Sequence, residues 1–388
     1  MSEVEIPFWL GWATFALSAF FCLPALLLMP HRTLRRFAAE CPEPENWPTL
    51  SVIIAARDEE SKICATLERL LASDYPSLEI ILANDRSRDR TGKIAAGIAE
   101  HDARLRVLTI ESLPAGWLGK THAMHLAARQ ATGEYLLFTD GDIMFAPDAL
   151  RQSLRYAQAK QLDHFCLMPA METESWPECV LVSFFAMLFA FGTQPWFRRL
   201  RLPNAYYGVG AFNLVRRETY ERLGGHKPIR LDVLDDVKLG KLFFQNGASA
   251  DYLVAEAAVT VRWQNSAWGV IAGLEKNAFA GVQYSIVRLL GFTLIFAIIF
   301  LAPWLAAALL PTSVSVGFLA TLGLLHVTFA ALSVTFGGSL LATPGLLPGS
   351  LGVLFAFWRS AVLTLRQGGI RWRDTFYPLD ELRDGASR

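Results

Sequence analysis

Apolar residues are distributed along this chain in two distinct ways. Before residue 30, near 180–197 and from about 288 to 365 they form long runs with few charges. Elsewhere they come in short bursts, each followed by polar residues and then by apolar positions at helical spacing. Leu50-Ser51-Val52-Ile53-Ile54-Ala55 precedes Ile63, Leu67, Leu70 and Leu71, and Leu78-Glu79-Ile80-Ile81-Leu82-Ala83 precedes a helix around 94–98. Arg106-Val107-Leu108-Thr109-Ile110 is a third strand with a helix near 123–131, and Glu134-Tyr135-Leu136-Leu137-Phe138-Thr139 is a fourth. Strand–helix alternation of this kind predicts an α/β fold with a mostly parallel central sheet covered on both faces. In such sheets ligands bind beyond the carboxyl ends of the strands.

The long runs predict membrane segments at both ends. Residues 7–29 carry no charge, and roughly 20 apolar helical residues cross a hydrocarbon core. Glu3 and Glu5 stand before the run where a secretory signal would be basic, so an uncleaved anchor is expected. His31-Arg32-Thr33-Leu34-Arg35-Arg36 follows, and basic flanks stay cytoplasmic. That orientation predicts an integral inner-membrane protein with its soluble part in the cytoplasm. Residues 289–310 and 314–336 read as further spans. Residues 340–365 are interrupted by Thr343-Pro344-Gly345 and Pro348-Gly349 and carry Arg359. A re-entrant or interfacial segment there keeps Arg366, Arg371 and Arg373 inside, whereas a full crossing puts them outside. The phenylalanine-rich stretch at about 178–200 contains Gly192 and Pro195 and leads into Arg198-Arg199-Leu200-Arg201. It reads as a helix lying in the interface, or as a buried core helix. The expected division is an anchor at 1–36, a soluble α/β domain at 48–285, membrane segments at 288–366 and a cytoplasmic tail at 367–388.

Composition narrows the classes. Thirty-six basic and 36 acidic residues cancel to a formal charge of zero, which gives nucleic acid no electrostatic foothold. The five cysteines have no paired spacing, so neither a disulfide framework nor a zinc site is indicated. Too few spans and no charged pair deep in a bundle argue against a transporter.

What stands at the predicted strand ends is polar and mostly acidic. Ala56-Arg57-Asp58-Glu59-Glu60 follows the first strand, Asn84-Asp85-Arg86-Ser87-Arg88-Asp89 the second, and Asp140-Gly141-Asp142 the fourth. Carboxylates brought together repel, so such a cluster holds a divalent cation or a basic partner. Asp140 and Asp142 flank a glycine directly after an apolar strand, and two carboxylates completed by substrate phosphates suit a hard cation such as Mg²⁺ or Mn²⁺.

The run 51–60, then Asp85 with Ser87 and Asp89, then Asp140-Gly141-Asp142, resembles the GT-A fold of glycosyltransferase family 2. The flanking membrane layout, with Arg371-Trp372-Arg373 and Tyr377-Pro378 in the tail, is similar to its lipid-modifying branch: ceramide glucosyltransferases and hopanoid- or carotenoid-associated enzymes. The resemblance implies that Ala56, Arg57 and Glu59 line the ribose and base of a nucleotide-diphosphate sugar, and that Asp85 reads the uracil edge of a UDP-sugar. It implies Lys120 at the donor's phosphates or sugar, Asp140 facing the sugar or ribose, and Asp142 on the cation. Leu234-Asp235-Asp236-Val237 opens a helical stretch and resembles the family's Glu-Asp pair. Asp236 is then the general base for an acceptor hydroxyl on a membrane lipid, with Asp235 supporting it. Helix capping also accounts for one of the two, Asp235 before Asp236.

The glycine-rich run Gly208-Val209-Gly210-Ala211-Phe212-Asn213 reads as strand-like and resembles the segment shaping the acceptor pocket, with Gly210 in it; a core strand is the alternative. Where processive synthases of the family carry Gln-x-x-Arg-Trp, this chain has Arg262-Trp263-Gln264-Asn265-Ser266-Ala267-Trp268, then Glu275-Lys276-Asn277. That departure argues for a single transfer rather than polymer extrusion, with Lys276 and Asn277 as candidates for the diphosphate. The alternatives in the same class are a polyprenyl-phosphate sugar synthase and a polysaccharide-type synthase.

Overall fold

Four parallel strands in the order β3-β2-β1-β4 form one half of a seven-stranded sheet: β1 (Leu50–Ala56), β2 (Leu78–Asp85), β3 (Leu105–Ile110) and β4 (Tyr135–Asp140). The computed structural model describes residues 5–200 and 202–386, so Glu3 and Arg201 lie outside the described residues. β1 is apolar on both faces because it lies at the centre of a covered parallel sheet, with Val52, Ile53 and Ile54 fully buried. Beyond β4 come Asn213–Arg216, His164–Met168 and Ala250–Val254. Asn213–Arg216 runs antiparallel to both neighbours, which makes the sheet mostly parallel but not wholly so. Ile143–Phe145 pairs with Val259–Val261 in a second, small sheet.

Register is what builds the site. Ala55 of β1 stands beside Asp140 of β4, and Ala56 beside Asn84 of β2, so the carboxyl ends of these strands share one edge. Phe138 pairs with Asn213, so the antiparallel strand begins at that same edge. The segment leading into it therefore arrives next to Asp140, and Thr139 Oγ1 donates to the Ala211 carbonyl at 2.7 Å. The expected strand over Gly208–Asn213 is a correction: regular pairing begins only at Asn213. Residues before it are drawn into contact with a helix instead of a neighbouring strand.

The chain divides into two compact units. One contains this sheet and comprises Arg32–Ala170, Tyr206–Arg262 and Asp380–Arg388; the other comprises Met1–His31, Met171–Ala205 and Trp263–Leu379. Among the described residues, the second unit holds five helices long and apolar enough to cross a membrane. Glu5–Leu28 packs along Thr312–Thr335, and a Cβ on Gly317 would collide with the backbone of Gly11 and Trp12. Small residues let helix backbones approach where no hydrophobic force separates lipid from protein. Ile286–Phe296 continues through a π-turn, Ala297–Leu301, into Ala302–Leu309, and Pro303 near the start of that last piece explains the widened turn. The break expected at Pro348-Gly349 does not occur. Leu340–Gly345 is a 3₁₀ turn, and Leu346–Gln367 runs uninterrupted because Pro348 falls in its first turn, where a missing N–H costs nothing. Near Pro195, in contrast, Trp176–Thr193 does stop, at Gln194 in the left-handed region (φ 40°). The five cysteines form no disulfide, and four of them are buried.

His226 lies in the core of the sheet-containing unit, 1% exposed, with its Nδ1 2.6 Å from the Tyr220 hydroxyl and its ring against Phe138. Burial, aided by the nearby His125 and Lys120, pulls its pKa down to about 3. The unfolded chain then takes up a proton near pH 6.5 that the folded chain refuses, so stability is complete above that pH and falls as pH drops toward 3. By pH 5 the loss amounts to about 2 kcal/mol from this residue. Thermal melts of the purified chain between pH 7.5 and 5 should fall accordingly, and His226→Asn should flatten the slope.

Candidate active site

The Asp140-Gly141-Asp142 turn closes β4 and is held in place by the start of the Ile63–Leu71 helix. Thr66 Oγ1 donates to the Gly141 carbonyl at 3.1 Å, and Lys62 Nζ lies 2.9 Å from Asp142 Oδ2. Ala56 and Glu59 from the end of β1 flank the same turn: a Cβ placed on Gly141 would sit 3.8 Å from the Ala56 Cβ and 3.7 Å from the Glu59 Cγ.

From the other side, the Gly119–Ala128 helix presents Lys120. Its ammonium lies 2.8 Å from Asp140 Oδ1 and 3.5 Å from Asp235 Oδ2. Burial would lower the Lys120 pKa, but the carboxylates of Asp140, Asp235 and Asp236 outweigh it and hold the group above its ordinary value. Lys120 is therefore a fixed positive charge among three carboxylates.

Asp235 and Asp236 open the Asp235–Gln245 helix. Asp235 is buried and faces Lys120, while Asp236 Oδ1 takes the Val237 N–H at 2.8 Å. Burial raises the Asp236 pKa; Lys120 and the backbone N–H groups of Val237 and Gly210 oppose that, and Asp140 adds to it. Burial likewise raises Asp142, reinforced by Asp140 and opposed by Lys62.

Three glycines permit this convergence. A Cβ on Gly208 would overlap the Asp236 carbonyl, and one on Gly240 would overlap the Tyr207 carbonyl, so the 207–210 segment lies directly on the first turns of the helix. Gly210 stands between the two halves of the site, where a Cβ would be 2.7 Å from Asp140 Oδ2 and 3.5 Å from Asp236 Oδ2. Gly210 thus lies beside the carboxylates.

The second strand end is organised differently from expectation. Both Asp85 oxygens are taken by its neighbour Arg86, at 2.7 and 2.8 Å, beside the first residue of the Lys120 helix, where a Cβ on Gly119 would strike that carboxylate. Ser87 and Asp89 tie the loop to the end of β1: the Asp58 N–H donates to Ser87 Oγ, the Arg88 N–H to Asp58 Oδ1, and the Glu60 N–H to Asp89 Oδ2. Asp58 and Arg86 both have φ of 56°, a left-handed conformation that non-glycine residues adopt mainly where the surroundings over-determine it, often at functional sites. The Arg57 side chain is only 12% exposed, its Nε 3.9 Å from Asp58 Oδ2. Lys276 and Asn277 belong to the helical unit, with the Lys276 ammonium 3.9 Å from the centre of the Trp372 ring.

Among the described residues no three acidic, histidine or cysteine side chains form a ready metal cage. Asp140 and Asp142 are close enough for one to raise the other's pKa. Two hard oxygen donors without a third suit a cation whose remaining ligands are substrate phosphates and water. Lys62 and Arg86 were not singled out from sequence; Lys62 follows Glu59-Glu60-Ser61 at the mouth of a helix, a spacing that by itself reads as a surface cation.

Residues 51–224 match the family model described as glycosyl transferase family 2. The chain carries a glycosyltransferase family 2 domain. A 4,4'-diaponeurosporenoate glycosyltransferase of Staphylococcus haemolyticus is 27% identical to it over 205 residues, 52% of this chain and 53% of that one. An uncharacterized glycosyltransferase of Bacillus subtilis is 32% identical over 116 residues, 30% of this chain and 32% of that protein. The chain thus spans about half the length, or less, of these curated relatives. Relatives of the first kind fall in the carotenoid-associated branch that the sequence resembles. A mannosyltransferase from Pyrobaculum calidifontis, solved with GDP-mannose and Mn²⁺, superposes with a TM-score of 0.51 at 19% identity, over 92% of this chain and 98% of its own. At that identity the likeness establishes the GT-A fold of the family 2 domain.

If the 207–210 segment and the Asp235–Gln245 helix are registered by glycine contacts, Gly240→Ala should separate them. We expect a loss of about 2 kcal/mol, the range for overpacking. It should appear as a lower melting temperature, together with weaker activity from a displaced Asp236.

Proposed function

We propose that the chain is an inverting, non-processive glycosyltransferase that moves one hexose from a nucleotide-diphosphate sugar, UDP-linked, to a lipid hydroxyl at the cytoplasmic face of the inner membrane. The observation that carries this reading is the convergence of Asp140, Asp142, Asp235, Asp236 and Lys120 on the carboxyl edge of the sheet. The long apolar helices in the same chain support a lipid acceptor.

The roles follow from charge and position. Asp142 and Asp140 are the residues that would hold Mg²⁺ or Mn²⁺, which when bound supplies Lewis-acid neutralisation of the departing diphosphate. Lys120 offers a fixed positive charge to the same oxygens and opposes the burial that raises Asp142 and Asp236. Asp236, made more basic by burial, takes the proton of the acceptor hydroxyl. The freed oxygen bonds to the anomeric carbon as the bond to the diphosphate breaks, and attack opposite the leaving group inverts that centre. Ala56, Arg57, Glu59 and Asp85 are assigned to the ribose and base. For Asp85 this requires the Arg86 guanidinium to yield one of its two hydrogen bonds. Lys276 and Asn277 remain candidates for the diphosphate.

A second reading concerns only the acceptor. The named relatives act, by their name, on diaponeurosporenoate, a carboxylate. An acceptor oxygen already ionised, carboxylate or polyprenyl phosphate, needs no base.

Transfer from radiolabelled UDP-sugars to extracted membrane lipids, read by chromatography and mass spectrometry, tests both. Asp142→Ala should abolish transfer, as should removal of divalent cations by chelator. Asp236→Asn should lower turnover by about 10²-fold or more. Undiminished turnover in Asp236→Asn overturns its role as base and favours the ionised acceptor.

A further inference from the structure

Lys62 comes to the site from outside every assigned role. It is the residue immediately before the Ile63–Leu71 helix, and Thr66, one turn on, anchors that helix to the Gly141 carbonyl. The Asp140-Gly141-Asp142 turn and Lys62 are therefore fixed relative to one another by a buried hydrogen bond, and the ammonium lands 2.9 Å from Asp142 Oδ2. The pair is partly shielded, with Lys62 33% and Asp142 22% exposed. On the other carboxylate of the turn, Lys120 holds the equivalent place at 2.8 Å. Each oxygen donor proposed for the cation thus carries a lysine ammonium in this structure.

The two lysines are not equivalent. Lys120 is 18% exposed and is also drawn by Asp235 and Asp236, so leaving Asp140 does not free it from the cluster. Lys62 is the more exposed of the two, and its flexible stem can swing toward solvent. Asp140, Asp142, Asp235 and Asp236 against two ammonium groups leave two carboxylates in excess, enough to attract a divalent ion. An ion that takes Asp142 Oδ2 must replace the ammonium already there, and one on Oδ1 alone lies close to the same positive charge.

Building on the proposed metal role of Asp142, we propose that Lys62 is a tethered counter-cation that competes with the divalent ion for Asp142 and thereby sets the metal affinity of the site. It keeps a partly buried carboxylate neutralised while no metal is bound, and it weakens binding of metal alone relative to metal arriving with a diphosphate.

The test is Mn²⁺ binding to the purified full-length chain in detergent without donor, with free Mn²⁺ counted by electron paramagnetic resonance. Lys62→Met should bind Mn²⁺ about fivefold tighter than the native chain, the equivalent of one partly exposed ion pair. Lys62→Arg, which keeps the charge, should bind as the native chain does. Mn²⁺ should also raise the melting temperature of Lys62→Met more than that of the native protein, a readout that holds if the variant is less stable at the outset. Equal or weaker binding by Lys62→Met overturns the inference while leaving the metal site intact. Mn²⁺ binding that survives Asp142→Asn overturns the metal assignment itself, and the inference with it.

Discussion

Everything in the catalytic unit is arranged around one electrostatic problem: several carboxylates held together at the edge of a sheet. Asp140 and Asp142 end β4, Asp235 and Asp236 begin a helix nearly a hundred residues later, and no such grouping is stable without positive charge among it. Lys120 and Lys62 supply that charge from two further helices. The raised pKa values of Asp142 and Asp236 are the residue of the conflict, since burial disfavours their charge more than the lysines restore it. The same imbalance is what the proposed function draws on, for a cation at Asp142 and a proton at Asp236.

Holding such a cluster requires rigid placement, and the protein achieves it by close backbone contact. Glycines at 208 and 240 bring a loop and a helix to contact distances that no side chain tolerates. Hydrogen bonds between the ends of β1 and β2 lock two loops whose left-handed residues would otherwise relax. Apolar strands buried on both faces provide the frame, because a parallel sheet sandwiched between helices has little freedom to shift register.

Much of this was legible in the amino-acid order. The four apolar bursts specified the parallel strands to within two residues, because burial on both faces leaves a run of Leu, Ile and Val in β1, β2 and β4, and β3 at the sheet edge keeps enough of it to be read. The acidic residues after the first, second and fourth bursts marked one edge of the sheet as the candidate site, since polar groups at a buried strand's end must face either solvent or a ligand. The start of the Asp235–Gln245 helix and the end of the phenylalanine-rich helix near Pro195 were likewise readable, one from its paired aspartates and the other from its proline.

What local pattern could not convey is which charges meet. Nothing near Asp85 in sequence distinguishes a free carboxylate from one clasped by the next residue, and only the left-handed backbone at Arg86 turns the guanidinium back upon it. The Gly208–Asn213 run has the composition of a strand, yet contact with a helix more than twenty residues downstream keeps most of it out of the sheet. Lys62 looks like any solvated lysine until the fold carries Asp142 to it across eighty residues. Periodicity and strand-end chemistry are local and survive in one dimension. Charge pairing depends on distances that exist only once the sheet has set its register, so it belonged to the tertiary structure alone.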